Sequence, residues 1–244
     1  EPVNTRMHEL VLYGSRLEDT QPPSPPEPVV PAQMNATPMD DFIGLNVQPW
    51  EPLELMEVAD GFIRQYHAWW YNISGDSNVP GYPNDRYKFN PSFITPDPID
   101  FDTFYQDMKD DGRFVFPTLH WGAPWMHGNW HHKPVPTGMD PEDPASYEAH
   151  ADYMFQYAAR YGSTVVNDNL LKLYPDQPRE SGMNLLHYFE NWNEQNADWH
   201  DRESYFTPYE YAAMSSADYD GHLGTMPDTV GLKNADPNAK LVMA

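Results

Sequence analysis

The chain has 244 residues, no cysteine, and 14 Lys and Arg against 37 Asp and Glu, a formal net charge of -23 at neutral pH. Without thiols there are no disulfides, thiolate zinc centres, iron–sulfur clusters or cysteine nucleophiles, and the acidic balance opposes a broad nucleic-acid or anionic-membrane surface. Hydrophobic residues at 40% and aromatics at 14% can build a core, and no run reaches the roughly 18 apolar residues of a membrane span, so a soluble globular protein with neutral or cationic partners is expected.

The chain opens on Glu1-Pro2-Val3, with neither an initiator Met nor a signal-peptide pattern, as a processed or excerpted chain would. Residues 1–19 contain one short apolar stretch with the character of an isolated strand, and the prolines of 20–37 read as an extended linker. From 38 to 244 strand and helix patterns alternate. Phe42 to Val47 is a short buried-type strand, and residues 52–60 place Leu53, Met56 and Ala59 on one helical stripe. Residues 62–70 (FIRQYHAWW) have strand chemistry and lead into a long loop, 74–98, rich in Gly, Pro, Asn and Asp. Asn72-Ile73-Ser74 at its start fits an N-glycosylation triplet, a pattern that arises often by chance.

Phe101, Phe104, Tyr105 and Met108 recur at helical spacing over residues 100–110, Gly112 stops that helix, and residues 114–119 (FVFPTL) form the next buried strand. A second long loop, 120–144, carries Trp121, Trp125, Trp130 and four histidines before a helix over 145–161. Residues 185–191 (LLHYFEN) form a fourth strand, Thr207-Pro208-Tyr209-Glu210 is a capping box opening a helix to about Ala217, and a fifth strand begins at Lys240.

This alternation predicts an α/β fold with a mostly parallel sheet, either a (β/α)8 barrel or a doubly wound layer. No Gly-rich phosphate loop follows the first strand, and the long loops follow strands while helix-to-strand turns are short, which favours the barrel. Four strand-helix units fill about 200 residues, so eight would need roughly 400. The 244 residues are therefore expected to hold strands one to five of an incomplete barrel, with the rest supplied by the same or a second chain.

The densest cluster of chemistry-bearing residues is the run from His187 to Asn196 at the end of the fourth strand. The stretch F-E-x-W-N-E-x-N resembles the acid/base motif of clan A glycoside hydrolases and is most similar to that of the xylosidase/iduronidase family, usually F-E-x-W-N-E-P-N. It matches at Phe189, Glu190, Trp192, Asn193, Glu194 and Asn196 and departs at Gln195, where proline is usual. The resemblance implies a retaining glycosidase on a (β/α)8 barrel, with Glu194 as general acid/base and Asn193 holding the sugar 2-hydroxyl. It also implies a nucleophilic Glu at the end of strand seven, outside this sequence, and an arginine near the acid/base, to which Arg64 corresponds by strand order.

Cleaving a glycosidic bond requires a protonated carboxyl near neutral pH, so Glu194 is expected to be partly desolvated, with Trp192 a source of that environment. Glu190 cannot be the second acid. If the strand continued, four residues would separate it from Glu194 by roughly 13 Å, beyond both retaining and inverting spacings. It is expected instead to be a hydrogen-bonded residue lower in the barrel.

Tryptophan rings stack on sugar faces, so His120, Trp121 and Trp125 are expected substrate contacts. His67 and Trp69, read as sharing one strand face, are further candidates beside a packed aromatic layer. A histidine metal site in the 120–132 loop lacks an acidic ligand at suitable spacing, and the calcium-like start Asp218-Tyr219-Asp220-Gly221 lacks its later ligands. No metal or organic cofactor is expected, because two carboxyl groups carry this chemistry. The expected partners are a carbohydrate and the remainder of the barrel, with an extracellular, cell-surface or periplasmic location. The competing readings are a non-catalytic carbohydrate-binding protein and a surface-assembly scaffold on the same barrel.

Overall fold

Side-chain alternation on short aromatic and β-branched runs builds the sheet, and helices cover one side of it. The computed structural model describes residues 43–56, 61–72, 92–95, 97–123, 125–126, 129, 131–174 and 177–244. The expected terminal strand and proline linker, Ala59 and most of the 74–98 loop lie outside those residues. In chain order the elements are β1 (Gly44–Val47), α1 (Leu53–Met56), β2 (Phe62–Ala68), β3 (Ser92–Thr95), β4 (Asp97–Asp100), α2 (Phe101–Asp110), β5 (Phe114–His120), α3 (Glu148–Tyr161), β6 (Tyr188–Asn191), α4 (Pro208–Gly224), α5 (Leu232–Ala235) and β7 (Lys240–Met243).

The five-stranded sheet runs β1-β2-β5-β6-β7, every pair parallel. Strand order thus follows sequence order without reversal. A doubly wound fold needs a reversal to place helices on both faces, whereas right-handed crossovers that step one way put all helices on one face, as in an arc of a (β/α)8 barrel. Register confirms two distinct faces. Asn46 lies beside Arg64, Arg64 beside Phe116, Thr118 beside Glu190 and Glu190 beside Val242, so these residues share the helix-free face.

The opposite face carries the core: Ile63, Val115, Leu119 and Phe189 pack with Phe101, Tyr105 and Met108 of α2 and Met154, Phe155 and Tyr157 of α3. Apolar residues at helical spacing commit one side of α2 to this contact, and the Asp100 side chain caps it by accepting from the backbone N–H of Asp102 at 3.0 Å. At its other end Gly112 takes a left-handed backbone, φ 76°, which glycine reaches without strain. A second cluster forms where Trp192 meets Tyr147, Phe206 and Met214. Among the described residues no helix is long and apolar enough to cross a membrane.

Between β2 and the helices runs a buried polar network. The Tyr105 hydroxyl donates to Gln65 at 2.8 Å and bonds the Tyr157 hydroxyl, while the Tyr153 hydroxyl donates to Asn72 Oδ1 at 3.0 Å. His67 Nε2 also bonds Asn72 Oδ1, a pure acceptor, so the proton sits on Nε2 and Nδ1 accepts from the Gln65 amide at 3.3 Å. Burial, only partly offset by the Asn72 hydrogen bond, lowers the His67 pKa to about 3, so the ring is neutral. Asn72, the acceptor residue of the glycosylation triplet, is fully buried here and holds this network together.

Several boundaries differ from the sequence pattern. β2 ends at Ala68, and Trp69–Tyr71 form a 3-10 turn. The fourth strand of the sheet is confined to Tyr188–Asn191; Leu185 and Leu186 are buried as loop residues. A β3–β4 antiparallel hairpin occupies part of the expected loop, with Pro98 at a position where a strand edge tolerates a missing N–H. α4 continues past Ala217, and its last turn bends where Gly221, His222 and Leu223 adopt left-handed backbone angles. Asp218 is a buried helical residue bonded to His150 Nδ1 at 2.9 Å, which removes it from any calcium loop.

Candidate active site

The helix-free face brings together what the motif leaves scattered. Arg64, midway along β2, points its guanidinium across β5 to Glu190 on β6: Nε to Oε2 is 2.5 Å and Nη2 to Oε1 is 2.9 Å. This fork-to-carboxylate pairing fixes orientation as well as charge. Thr118 Oγ1, on the strand between them, donates to Glu190 Oε2 at 2.5 Å. Arg64 Nη1 donates to Asn46 Oδ1 at 3.1 Å, and Nη2 donates to Asn193 Oδ1 at 3.0 Å. Burial opposes the charge on Arg64, but the hydrogen bonds and charge of Glu190 outweigh it and raise the pKa above the usual arginine value. Glu190 is thus the hydrogen-bonded residue expected lower in the barrel.

The clamp sets the direction of Asn193. With Oδ1 taken by Arg64, its amide Nδ2 is the donor left for a ligand. Beyond Asn191 the chain turns sharply: Trp192 has φ 74° and Glu194 φ 50°, and Trp121, the first residue after β5, has φ 66°. Left-handed backbone costs non-glycine residues roughly 1–3 kcal/mol each and is concentrated at functional sites. Here three such residues sit just past the C-terminal ends of neighbouring strands, the end at which barrel enzymes carry their chemistry.

Glu194 is exposed, and no hydrogen bond or ion pair to its carboxylate occurs among the described residues. The extended geometry behind the 13 Å estimate does not apply, because the strand ends at Asn191. Trp192 also departs from expectation. Its ring is buried in the second core cluster, 5.1 Å edge-on from Phe206, and anchors the turn rather than covering Glu194. The Gln195 side chain, at the position usually proline, donates to the backbone carbonyl of Ala244 and so ties the turn to the end of β7.

No family model and no curated protein matches the sequence. Among solved structures the chain is similar to a family 39 glycoside hydrolase from the gut symbiont Bacteroides cellulosilyticus WH2, with 14% identity and a TM-score of 0.44 over 82% of this chain. The chain spans 30% of that structure's length.

His120 ends β5 on the same face as Thr118. It is 2% exposed, and neither ring nitrogen has a partner among the described residues. Burial, with His67 and Arg64 nearby, lowers its pKa to about 3, so it presents a neutral imidazole with one donor and one acceptor. The Trp121 ring centroid lies 4.1 Å from it, and that of Tyr66 5.6 Å. Trp125 is half-buried, edge-on to Trp69 at 6.0 Å.

Two candidates belong elsewhere. His67 is one residue out of phase with Tyr66 and Arg64, and points into the helix layer, where its hydrogen bonds are spent. Trp69 lies past the end of β2, 1% exposed and stacked on Tyr153 at 5.4 Å. Neither reaches the Arg64–Asn193 face. Asn46, Tyr66 and Thr118 do share it, and the period-two pattern of each strand is the signal for them once register is known. Among the described residues no group of three or more His, Asp or Glu side chains is arranged to hold a metal ion.

Proposed function

We propose that this chain carries the acid/base centre of a retaining O-glycoside hydrolase acting on an oligosaccharide or polysaccharide. The observation that supports this most is the Arg64 clamp. It gives the motif residue Glu190 a positioning task and leaves the Asn193 amide without a partner among the described residues, beside Glu194 at the strand ends of a singly wound sheet. In this reading Glu194 protonates the departing glycosidic oxygen while a second glutamate, from outside this chain segment, attacks the anomeric carbon. The two carboxyl groups would stand about 5–5.5 Å apart.

The resulting glycosyl ester is hydrolysed when Glu194, now a base, takes a proton from the attacking water. Asn193 Nδ2 donates to the 2-hydroxyl and so holds the sugar in place beside Glu194. His120 supplies a neutral donor and acceptor to sugar hydroxyls, and Trp121 a ring face. Bound sugar and the remainder of the barrel would shield Glu194 from water. Polymeric glycans as substrates favour a location outside the cytoplasm.

A second reading has its own observation: Glu194 is exposed and no second acid pairs with it among the described residues, as in a non-catalytic carbohydrate-binding protein on a glycosidase-like barrel. Glu194→Gln decides between them. Hydrolysis of a panel of aryl glycosides and oligosaccharides should fall about 10²–10⁴-fold, with sugar affinity by calorimetry unchanged. Unaltered turnover in the variant refutes the acid/base role, and sugar binding without turnover in the parent protein selects the second reading.

A further inference from the structure

Outward from His120 the aromatic rings do not stop at Trp121. Trp121 meets His131 edge-on at 5.6 Å, His131 lies 5.0 Å from His200 with the rings tilted by 31°, and His200 lies 6.2 Å from Trp199. The row therefore crosses from the loop after β5 to the loop after β6, the loop that carries Glu194. It becomes more open along its length. His120 is buried, Trp121 and His131 are half-buried, His200 is exposed, and Trp199 is 60% exposed.

The two loops are also fastened to each other by hydrogen bonds next to these rings in sequence. His132 Nε2 bonds Asp201 Oδ2 at 3.1 Å, the Lys133 backbone N–H donates to the Glu203 carbonyl at 2.8 Å, and buried Lys133 Nζ donates to the Tyr205 carbonyl at 3.0 Å. The row is thus held in place before any ligand arrives, which lowers the ordering cost of binding.

We infer that Trp121, His131, His200 and Trp199 form a series of subsites for successive neutral sugar residues, so that the ligand is a glycan chain of several units rather than a monosaccharide or disaccharide. Pyranose faces pack on such rings through C–H groups, and imidazole edges hydrogen-bond to the hydroxyls around them. The acidic neighbours Asp198, Asp201 and Glu203 oppose a phosphorylated or anionic chain. The inference rests on the glycosidase reading for where the chain is cut, but not for whether the chain binds.

The test uses full-length protein bearing Glu194→Gln, so that binding is read without turnover. Cellopentaose, xylopentaose and mannopentaose are titrated against the matching disaccharides by calorimetry and tryptophan fluorescence. In at least one series the pentasaccharide should bind at least about ten-fold more tightly than the disaccharide, and adding Trp199→Ala should remove about ten-fold of that affinity while leaving the disaccharide unaffected. Equal affinities for long and short chains, an unchanged pentasaccharide affinity in the Trp199→Ala variant, or no binding in any series overturns the inference. A length preference in a parent protein that hydrolyses nothing retains the subsites and refutes the glycosidase reading; hydrolysis without a length preference does the reverse.

Discussion

Arg64 and His67 are three residues apart on one strand and end on opposite sides of the sheet, with opposite uses for their polar groups. On the helix-covered side His67, Gln65, Tyr105 and Tyr157 satisfy one another, so the network contributes structure and offers nothing to a ligand. On the open side Arg64, Glu190 and Thr118 also satisfy one another, but they hold Asn193 and leave its amide without a partner among the described residues, beside Glu194. Burial alone does not separate a site from a core. What separates them is whether the polar chain closes on itself or ends on a group with a free bond at the surface.

The largest expected difference between the faces is in packing. Phe189 is fully buried and meets Tyr157 edge-on at 6.1 Å, whereas Phe114 is 37% exposed on the open side. Phe114 lines an apolar groove of about 470 Å³ with Phe62, Phe116, Tyr188 and Val242. Phe189→Ala should cost about 3–5 kcal/mol in urea denaturation and Phe114→Ala less than about 1 kcal/mol. Measured on these 244 residues alone, an equal cost at the two positions would overturn the contrast between faces, whereas the proposed remainder of the barrel should raise the cost at Phe114.

A smaller effect is expected within the open face. Arg64→Met leaves the mostly buried Glu190 carboxylate without its counter-charge and should cost about 3 kcal/mol, and Glu190→Gln added to it should recover part of the loss. Sugar affinity should fall in both variants, because Asn193 loses the bond that orients it. A double-mutant cycle with no coupling would show that the clamp contributes neither stability nor positioning. Thr118→Val removes only one donor to Glu190, and about 1.5–2 kcal/mol is expected from the same denaturation experiment.

These contrasts also mark what was legible in the sequence. The order of strands and helices was, because Phe101, Phe104, Tyr105 and Met108 keep a helical period, Gly112 stops it, and Thr207-Pro208-Tyr209-Glu210 starts α4 with its own capping bonds. So was the place of the motif at a strand end. The phase of β2 was not. FIRQYHAWW mixes polar and aromatic residues on both faces, and the polar residues facing the helices are satisfied by helix tyrosines, a pairing that no local pattern announces. Trp199 and His200 escaped for the same reason. His200 meets His131 where His132 and Asp201, 69 residues apart, help to bring the two loops together, and Trp199 follows His200.

The smallest effect is a slope with pH, and it too has one contributor on each face. His67 and His120 titrate near 6.5 in an unfolded chain, but burial lowers both to about 3 in the fold. Between those values the unfolded chain binds protons that the native protein does not, so stability is full above 6.5 and is lost as pH falls towards 3. From pH 6.5 to 5.5 each histidine should account for about 1 kcal/mol. Asp152 works in the other direction, since burial, despite Lys172 beside it, raises its carboxyl to about 6, so the slopes of variant and parent must be compared. His67→Gln and His120→Gln should each flatten the acid side of the denaturation profile by a similar amount. Only His120→Gln should also weaken pentasaccharide binding, because only that ring faces the proposed sugar chain; a matching loss in His67→Gln would show that the two faces are coupled through the sheet.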